Sequence, residues 1–341
     1  MDLSTRYLGL DLRSPLVASS GPFTGRIDRL RDLEDAGIAA VVLPSLFEEQ
    51  VVHDEMQTTE LFLMGEGGNP EATGYFPDLA AFETIADRYL RHLTEAKAAL
   101  TVPVIASLNG STPGGWTRYA RLLQDAGADA IELNLYRVAA DPTVSGADVE
   151  AEQLELVGMV RDAISIPLAV KVGSHYSAFA HMAEGLVAAG ADGLVLFNRF
   201  YQPDLDAVTR KVIPAIELSS SSELRLPLRW TALLHGRIEA SLAITTGVHT
   251  GVDVAKGLLA GADVTMMTSA LLRYGPDHIS LVEEELTSWA EQFGATAIGE
   301  LRGSASHRNV SDPEAFERAN YIGGLVDYAN TFASTQGAGP W

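Results

Sequence analysis

The stretch LAITTGVHTGVDVAKGLLAGADVTMMT, residues 242–268, contains the pattern that decides the fold. An apolar run at 242–246 is followed by a helical pattern at 252–259, and a second apolar run follows at 264–268. Between the helix and the second run lies Gly261, and glycine just past a helix adopts the left-handed conformation at little cost. Both apolar runs are too short and too apolar for surface helices, which predicts parallel strands buried on both faces.

The same pattern, a glycine between a helical segment and an apolar run, occurs four times along the chain. Its first copy is Asp35-Ala36-Gly37-Ile38, and the others begin at residues 125, 189 and 260. The apolar runs that follow the four copies span 39–43, 130–134, 193–197 and 264–268, and further runs lie at 16–19, 103–107, 167–171 and 242–246. Helical patterns fill the gaps between these eight predicted strands. The alternation predicts an α/β fold, a (β/α)8 TIM barrel, with a doubly wound open sheet as the alternative.

We expect one barrel domain over residues 1–303 and a C-terminal helical extension over 304–341, packed on the barrel or trailing from it. Long loops follow the second and sixth predicted strands, at 44–77 and 198–229. Loops at the carboxyl ends of barrel strands build active sites, so both are expected to cover a ligand. The serine run 219–222 is expected to be a mobile tip or turn without chemistry of its own.

Composition excludes several classes of function. The chain has 341 residues, no cysteine and a formal net charge of -21. This charge makes nucleic acid and anionic membranes poor partners, and the missing thiols exclude disulfides, iron-sulfur clusters and cysteine nucleophiles. Because neither a signal-peptide pattern nor an apolar run of about 18 residues is found, we expect a cytoplasmic protein with no membrane association.

Polar residues at the carboxyl ends of the predicted strands are candidates for the site, because they point into the barrel mouth. These strand ends carry hydroxyl and amide groups and a single charge, Lys171. They hold no carboxylate pair and no cluster of metal ligands, so we expect no metal site, and zinc hydrolysis or glycosidase chemistry is disfavoured. The polar strand-end residues are Ser19, Ser20, Ser45, Ser107, Asn109, Asn134, Lys171, Asn198, Thr245, Thr246, Thr268 and Ser269.

Lys171 ends a buried apolar strand and is one of four lysines in the chain. It is interpreted in three ways: a rim lysine with its ammonium in solvent, a fixed cation beside an anionic cofactor or substrate, or a Schiff-base nucleophile. Its position alone leaves the three open.

Thr246-Gly247 and Thr268-Ser269 end the seventh and eighth strands, where barrels commonly bind phosphate. Hydroxyl and backbone donors suit a phosphate dianion, although such residues also form turns and helix caps.

Five segments together resemble the dihydroorotate dehydrogenase family of FMN-containing barrels. They are LGLDLRSPLVASSGP (8–22), PVIASLNG (103–110), DAIELNL (129–135), PLAVKV (167–172) and TTGVHTGVDVAKGLLAGADVTMMTSAL (245–271). The resemblance implies FMN, with its phosphate at Thr246, Gly247, Thr268 and Ser269 and its ring near Ala18, Ser19, Ser20, Asn134 and Lys171. It further implies a substrate site at Asn109, Asn134, Asn198 and Arg199, and a homodimer.

The chain departs from the family pattern at three positions. The family's Cys or Ser base, after the fourth strand, aligns with 136–140, which contains neither residue type. A family lysine after the second strand is Pro44 here, and an Asn-bearing segment aligns with 71–75, which has no Asn. We therefore expect a substrate other than dihydroorotate, or a different proton-transfer group. The candidates for that group are Tyr136, Arg137, Ser145 and His175, and Arg137 is alternatively a two-pronged carboxylate binder.

The leading hypothesis is an FMN oxidoreductase that transfers hydride between flavin N5 and a carbon-carbon bond of a small planar acid or pyrimidine-like substrate, with Lys171 beside the ring. Its electrons would pass to a soluble acceptor or to a partner redox subunit. A second hypothesis is an FMN-binding or electron-relay protein without dihydroorotate activity. The third is a flavin-free barrel lyase that uses Lys171 as a Schiff base.

Overall fold

The computed structural model describes residues 1–54, 84–110, 113–199 and 202–317 and positions 321, 324, 325 and 328. Eight parallel strands close into a barrel, which confirms the predicted (β/α)8 architecture. In chain order the strands are β1 (Thr5–Tyr7), β2 (Leu10–Leu12), β3 (Leu16–Ala18), β4 (Ala40–Phe47), β5 (Val104–Asn109), β6 (Ala130–Asn134), β7 (Leu168–Val172), β8 (Gly193–Leu196), β9 (Asp204–Asp206), β10 (Lys211–Ile213), β11 (Ser241–Thr245) and β12 (Val264–Met267). The barrel consists of β3 to β8, β11 and β12, and β12 pairs with β3 to close it.

Helices pack around the barrel between successive strands. They are α1 (Ile27–Asp35), α2 (Ile85–Ala99), α3 (Pro113–Asp125), α4 (Gly146–Ala163), α5 (Phe179–Ala188), α6 (Arg225–Leu234), α7 (Gly251–Ala260), α8 (Ser269–Tyr274) and α9 (His278–Glu291). Positive φ angles are found at the four glycines of the repeated pattern: +101° at Gly37, +95° at Gly127, +108° at Gly190 and +112° at Gly261. The left-handed turn predicted after four of the helices is thus confirmed.

The barrel interior is a core of its own, separate from the apolar layer between strands and helices. It is filled mainly by small and β-branched side chains, and the hairpin β1–β2 closes its amino end with Tyr7, Leu8 and Leu12. The backbone N–H of Leu8 donates to Ser241 Oγ at 3.0 Å, at the start of β11. The inward strand residues in this core are Val17, Ala40, Val42, Ile105, Ala130, Ala169, Val195, Ala243, Val264 and Met266.

The second barrel strand is longer than the sequence pattern indicates. It was expected to end at residue 43, but β4 continues to Phe47, with a register shift against β5 between Val42 and Ser45. Pro44 lies within this irregularity, as expected for a residue that cannot donate to a sheet. Residues 48–54 are then helical, and the rest of the predicted loop up to residue 77 lies outside the described residues.

The second long loop contains regular structure. It forms the antiparallel pair β9–β10, a 3₁₀ turn at Ser221–Leu224 and the first residues of α6, which begins at Arg225. Farther along, the backbone N–H groups of Ala305 and His307 donate to the carbonyl oxygens of Leu259 and Ala232, both at 2.9 Å. Residues 304–317 therefore contact the helical layer, while the division at residue 303 stays a prediction.

Within the described ranges, no helix combines the length and apolar character needed to cross a bilayer.

Candidate active site

A buried layer of polar side chains lies above the apolar barrel core, towards the carboxyl ends of the strands. It arises because every second strand residue points inward. In β6 the inward residues are Ala130, Glu132 and Asn134. The strand register places Asn134 beside Asn109 of β5 and Lys171 of β7. Asn109, Asn134 and Lys171 are only 7–8% exposed. The structure thus brings three of the predicted residues side by side.

Lys171 forms an ion pair inside this layer with a residue that the strand-end analysis missed. Its Nζ lies 3.5 Å from Glu132 Oε1 and 3.3 Å from Ser19 Oγ. Glu132 is 1% exposed, and its Oε2 has no hydrogen-bond partner among the described residues. Burial, and secondarily the charge of Glu132, raises the pKa of the Tyr7 hydroxyl below it. Lys171 is consequently a fixed, buried cation and not a rim lysine with its ammonium in bulk water.

Asn134 and Asn198 contact each other across the barrel mouth. Asn198 Nδ2 donates to Asn134 Oδ1. Both amides keep further hydrogen-bonding capacity, because an amide nitrogen carries two N–H groups and an amide oxygen has two lone pairs. The pair can therefore present both hydrogen-bond donors and acceptors, which are the groups that a cyclic amide needs.

A cavity of about 200 Å³ lies between the ends of β11, β12 and β3. Thr246 and Gly247 follow β11 with φ of +74° and +84°. Among the described residues that line the cavity, none is acidic, and Lys171 and Arg199 are basic. Hydroxyl groups dominate the remainder of the polar lining, which includes Ser19, Ser20, Ser219, Thr245, Thr246, Thr268 and Ser269.

The serine run 219–222 is predicted to be a mobile tip or turn, and Ser219 departs from this prediction because it is buried while the three serines after it are exposed. The residue is 3% exposed, and its backbone N–H donates to Ser269 Oγ at 3.0 Å. Its own Oγ accepts from the N–H of Gly247 at 3.4 Å and lies 3.3 Å from His249 Nε2. Ser219 thereby joins the two predicted phosphate segments. Burial, the largest cause, lowers the pKa of His249.

The loop that carries His249 is fixed by the start of α7. Asp253 Oδ2 accepts from the backbone N–H groups of His249 and Thr250, both at 3.1 Å, and from Ser221 Oγ at 2.7 Å. Asp253 is 2% exposed. This carboxylate therefore organises the rim of the cavity without lining it.

A second cavity, of about 700 Å³, adjoins the first. The two share Phe197, Asn198, Arg199 and Thr246 as lining residues. Its lining is more acidic than that of the first and also includes Ser174, His175, Asp204, Ile216, Glu217 and Glu223. Together the two spaces fall in the size range of small-molecule sites.

The other predicted proton-transfer candidates lie elsewhere. Tyr136 and Arg137 line a third, minor space together with Glu152, with which Arg137 forms an ion pair. Ser145 caps α4, since its Oγ accepts from Asp148 N at 3.2 Å. Residues 71–75 lie outside the described ranges.

Ala18 is buried at the end of β3. Ser20 Oγ lies 3.4 Å from Ser45 Oγ, which is 2.7 Å from Ser107 Oγ. These hydroxyls form a short chain behind the polar layer.

Across the described residues, no group of three or more His, Cys, Asp or Glu side chains could hold a metal ion.

A closed parallel barrel with polar residues and adjoining cavities at its carboxyl end is the architecture of a barrel enzyme. The family model for dihydroorotate dehydrogenase matches residues 80–289. The chain belongs to the dihydroorotate dehydrogenase family, and it is an oxidoreductase.

Several curated proteins are similar to most of the chain. The catalytic subunit of dihydroorotate dehydrogenase B (NAD(+)) of Geotalea uraniireducens is 24% identical over 89% of this chain and 98% of that protein. Dihydroorotate dehydrogenase A (fumarate) of Lactobacillus delbrueckii subsp. bulgaricus is 24% identical over 86% of this chain and 95% of its own length. The NAD-dependent dihydropyrimidine dehydrogenase subunit PreA of Escherichia coli K12 is 24% identical over 94% of this chain and 80% of its own.

Proposed function

We propose that this oxidoreductase binds FMN and acts on a carbon-carbon bond of a small planar acid or pyrimidine-like substrate, in pyrimidine metabolism. The observation that carries the proposal is the lining of the smaller cavity, which combines hydroxyl donors, a buried lysine and no described carboxylate. Such a lining suits a ligand that carries a phosphate dianion.

The residues present fit the cofactor. Thr246, Gly247, Thr268 and Ser269 would hold its phosphate, and Ser219 joins them from the loop after β8. Ala18, Ser19, Ser20, Asn134 and Lys171 would surround its ring. When bound, FMN supplies the hydride acceptor or donor that no amino-acid side chain provides. Lys171 would place a positive charge beside the ring while Glu132 holds the ammonium in position.

Asn134 and Asn198 would orient the substrate through their remaining amide donor and acceptor, and Asn109 and Arg199 complete the substrate set. His175 would exchange a proton with the substrate, because it lines the larger cavity while Tyr136, Arg137 and Ser145 line neither of the two main cavities. The Schiff-base role of Lys171 is disfavoured by its ion pair with Glu132.

Electrons would pass to a soluble acceptor or to a partner redox subunit, since relatives include proteins named as a catalytic subunit and as a subunit of a dehydrogenase. We include a cytoplasmic homodimer in the proposal, with residues 1–303 as the barrel domain and 304–341 as its extension. Sedimentation at several concentrations measures the number of chains.

The absorption spectrum of the purified protein tests the cofactor directly. We expect a flavin spectrum, release of FMN on heating, and bleaching by a substrate with recovery on adding an acceptor. A flavin that no dihydropyrimidine or dihydroorotate bleaches would indicate a binding or relay protein. A colourless protein that also fails to take up added FMN would contradict the proposal.

A further inference from the structure

Three basic side chains near the barrel mouth are each paired with a glutamate. Lys171 Nζ lies 3.5 Å from Glu132 Oε1, and Arg199 Nε lies 2.9 Å from Glu223 Oε1. Arg137, the predicted carboxylate binder, forms its ion pair with Glu152. Lys171 and Arg199, which line the main cavities, therefore meet a ligand with their charges already balanced, whereas Arg137 lies outside both cavities.

Arg199 is the cation best placed to meet a ligand, because it lines both main cavities. Its guanidinium is held at two points, by Glu223 and by the carbonyl oxygen of Glu217. Glu223 is fixed in turn, since its Oε2 accepts from the N–H of Ser220 at 2.8 Å. A carboxylate approaching Arg199 would have to displace Glu223 or share its cation with it.

Among the described residues, the other charged side chains that line the larger cavity, histidine aside, are acidic. Asp204 and Glu217 line it in addition to the Arg199–Glu223 pair.

We infer that the substrate is an uncharged cyclic amide and that the Arg199–Glu223 pair excludes substrates that carry a carboxylate. The inference rests on the proposed function and narrows its substrate class. An uncharged amide would be bound through the amide group of Asn198, which lines both cavities and contacts Asn134. An acid adds a charge, and among the described residues the only Lys or Arg that lines the larger cavity is Arg199, which is already paired with Glu223.

Uracil and orotate are matched probes, because they differ by a single carboxylate on the same ring. Isothermal titration calorimetry measures their binding without a chromophore, on the purified protein with and without added FMN. We expect uracil to bind at least about tenfold more tightly than orotate, a difference of about 1.4 kcal/mol. If the protein fails to bind FMN, the proposed function is contradicted but the inference about substrate charge is not. The preference for uracil over orotate is measured both with and without FMN.

Two variants locate the source of the selectivity. Glu223→Gln keeps an acceptor for the N–H of Ser220 and leaves the charge of Arg199 unpaired. Orotate should therefore bind this variant at least about tenfold more tightly than it binds the unaltered protein, and the affinity for uracil should change by less than about twofold. Glu152→Gln is the matched control, because it frees Arg137 outside both main cavities, and it should change neither probe.

Equal or tighter binding of orotate by the unaltered protein would overturn the inference, and so would binding of neither probe. A gain in orotate binding with Glu152→Gln but not with Glu223→Gln would overturn the role of Arg199. Circular dichroism of both variants shows that each is folded.

Discussion

Exchange of Lys171 for methionine should destabilise the protein by leaving a carboxylate buried without its cation. Glu132 is 1% exposed, and one of its oxygens already has no partner among the described residues. At 3.5 Å, the gross Coulomb attraction of the pair is about 5 kcal/mol with an effective dielectric constant of about 20. Because the contact is long, we expect a loss near the lower bound for a broken buried pair, about 3 kcal/mol.

Glu132→Gln should cost less, about 1–2 kcal/mol. The ammonium that it leaves still contacts Ser19 Oγ at 3.3 Å and borders the smaller cavity. The double variant should cost about as much as Glu132→Gln alone, because neither charge then remains buried. The cycle therefore predicts a coupling energy of at least about 2 kcal/mol.

The assay is urea unfolding, in which the dependence of the free energy of unfolding on urea concentration should be the same for all variants. It is run first without flavin and then with saturating FMN, because a ligand that binds only the native state raises the apparent stability. Lys256→Met is the matched control, because Lys256 is an exposed lysine on α7, and it should change the free energy of unfolding by less than about 0.5 kcal/mol. Additive single effects, or equal effects of Lys171→Met and Lys256→Met, would refute this reasoning.

Three further predictions concern the rims of the two cavities. Gly247→Ala should destabilise by about 2 kcal/mol more than Gly275→Ala in urea unfolding, because both have positive φ but only the Cβ at Gly247 would lie 2.5 Å from the Leu224 nitrogen; equal losses would contradict it. Burial lowers the pKa of His249, so the unfolded chain binds its proton more readily and stability falls as pH drops through about 6.5. His249→Gln should therefore show a smaller loss of urea midpoint between about pH 7.5 and about pH 5.5 than the unaltered protein, and an unchanged loss would count against this. His175→Asn should slow flavin reduction by dihydrouracil at least about 100-fold with unchanged FMN content, whereas an unchanged rate would remove it as the proton-transfer group.

The barrel could be predicted because its signals are local. Each of the four glycines lies between one helix and one strand, so Gly37 and Gly261 predict the same helix-to-strand turn in distant parts of the chain. The bulge at Pro44 could not be predicted in the same way, because it depends on the register between β4 and β5.

The position of a side chain in the barrel mouth could be predicted where the end of a strand alone determines it, and could not be predicted where packing determines it. Lys171 and Asn134 are last or nearly last in their strands, which places them in the mouth. Glu132 was missed because only strand ends were considered, although it shares its inward parity with Asn134 two residues later. Ser219 was missed because its burial depends on Ser269, 50 residues away in sequence.

The affinity of the flavin-free protein for FMN, compared with riboflavin, tests the cofactor site most directly, since the two ligands differ only by the phosphate. Hydrogen bonds to a charged group contribute about 1.5–3 kcal/mol each, so FMN should bind at least about 100-fold more tightly than riboflavin. Ser219→Ala should weaken the binding of FMN and leave that of riboflavin unchanged. Equal affinity for the two flavins would contradict a phosphate site at the ends of β11 and β12.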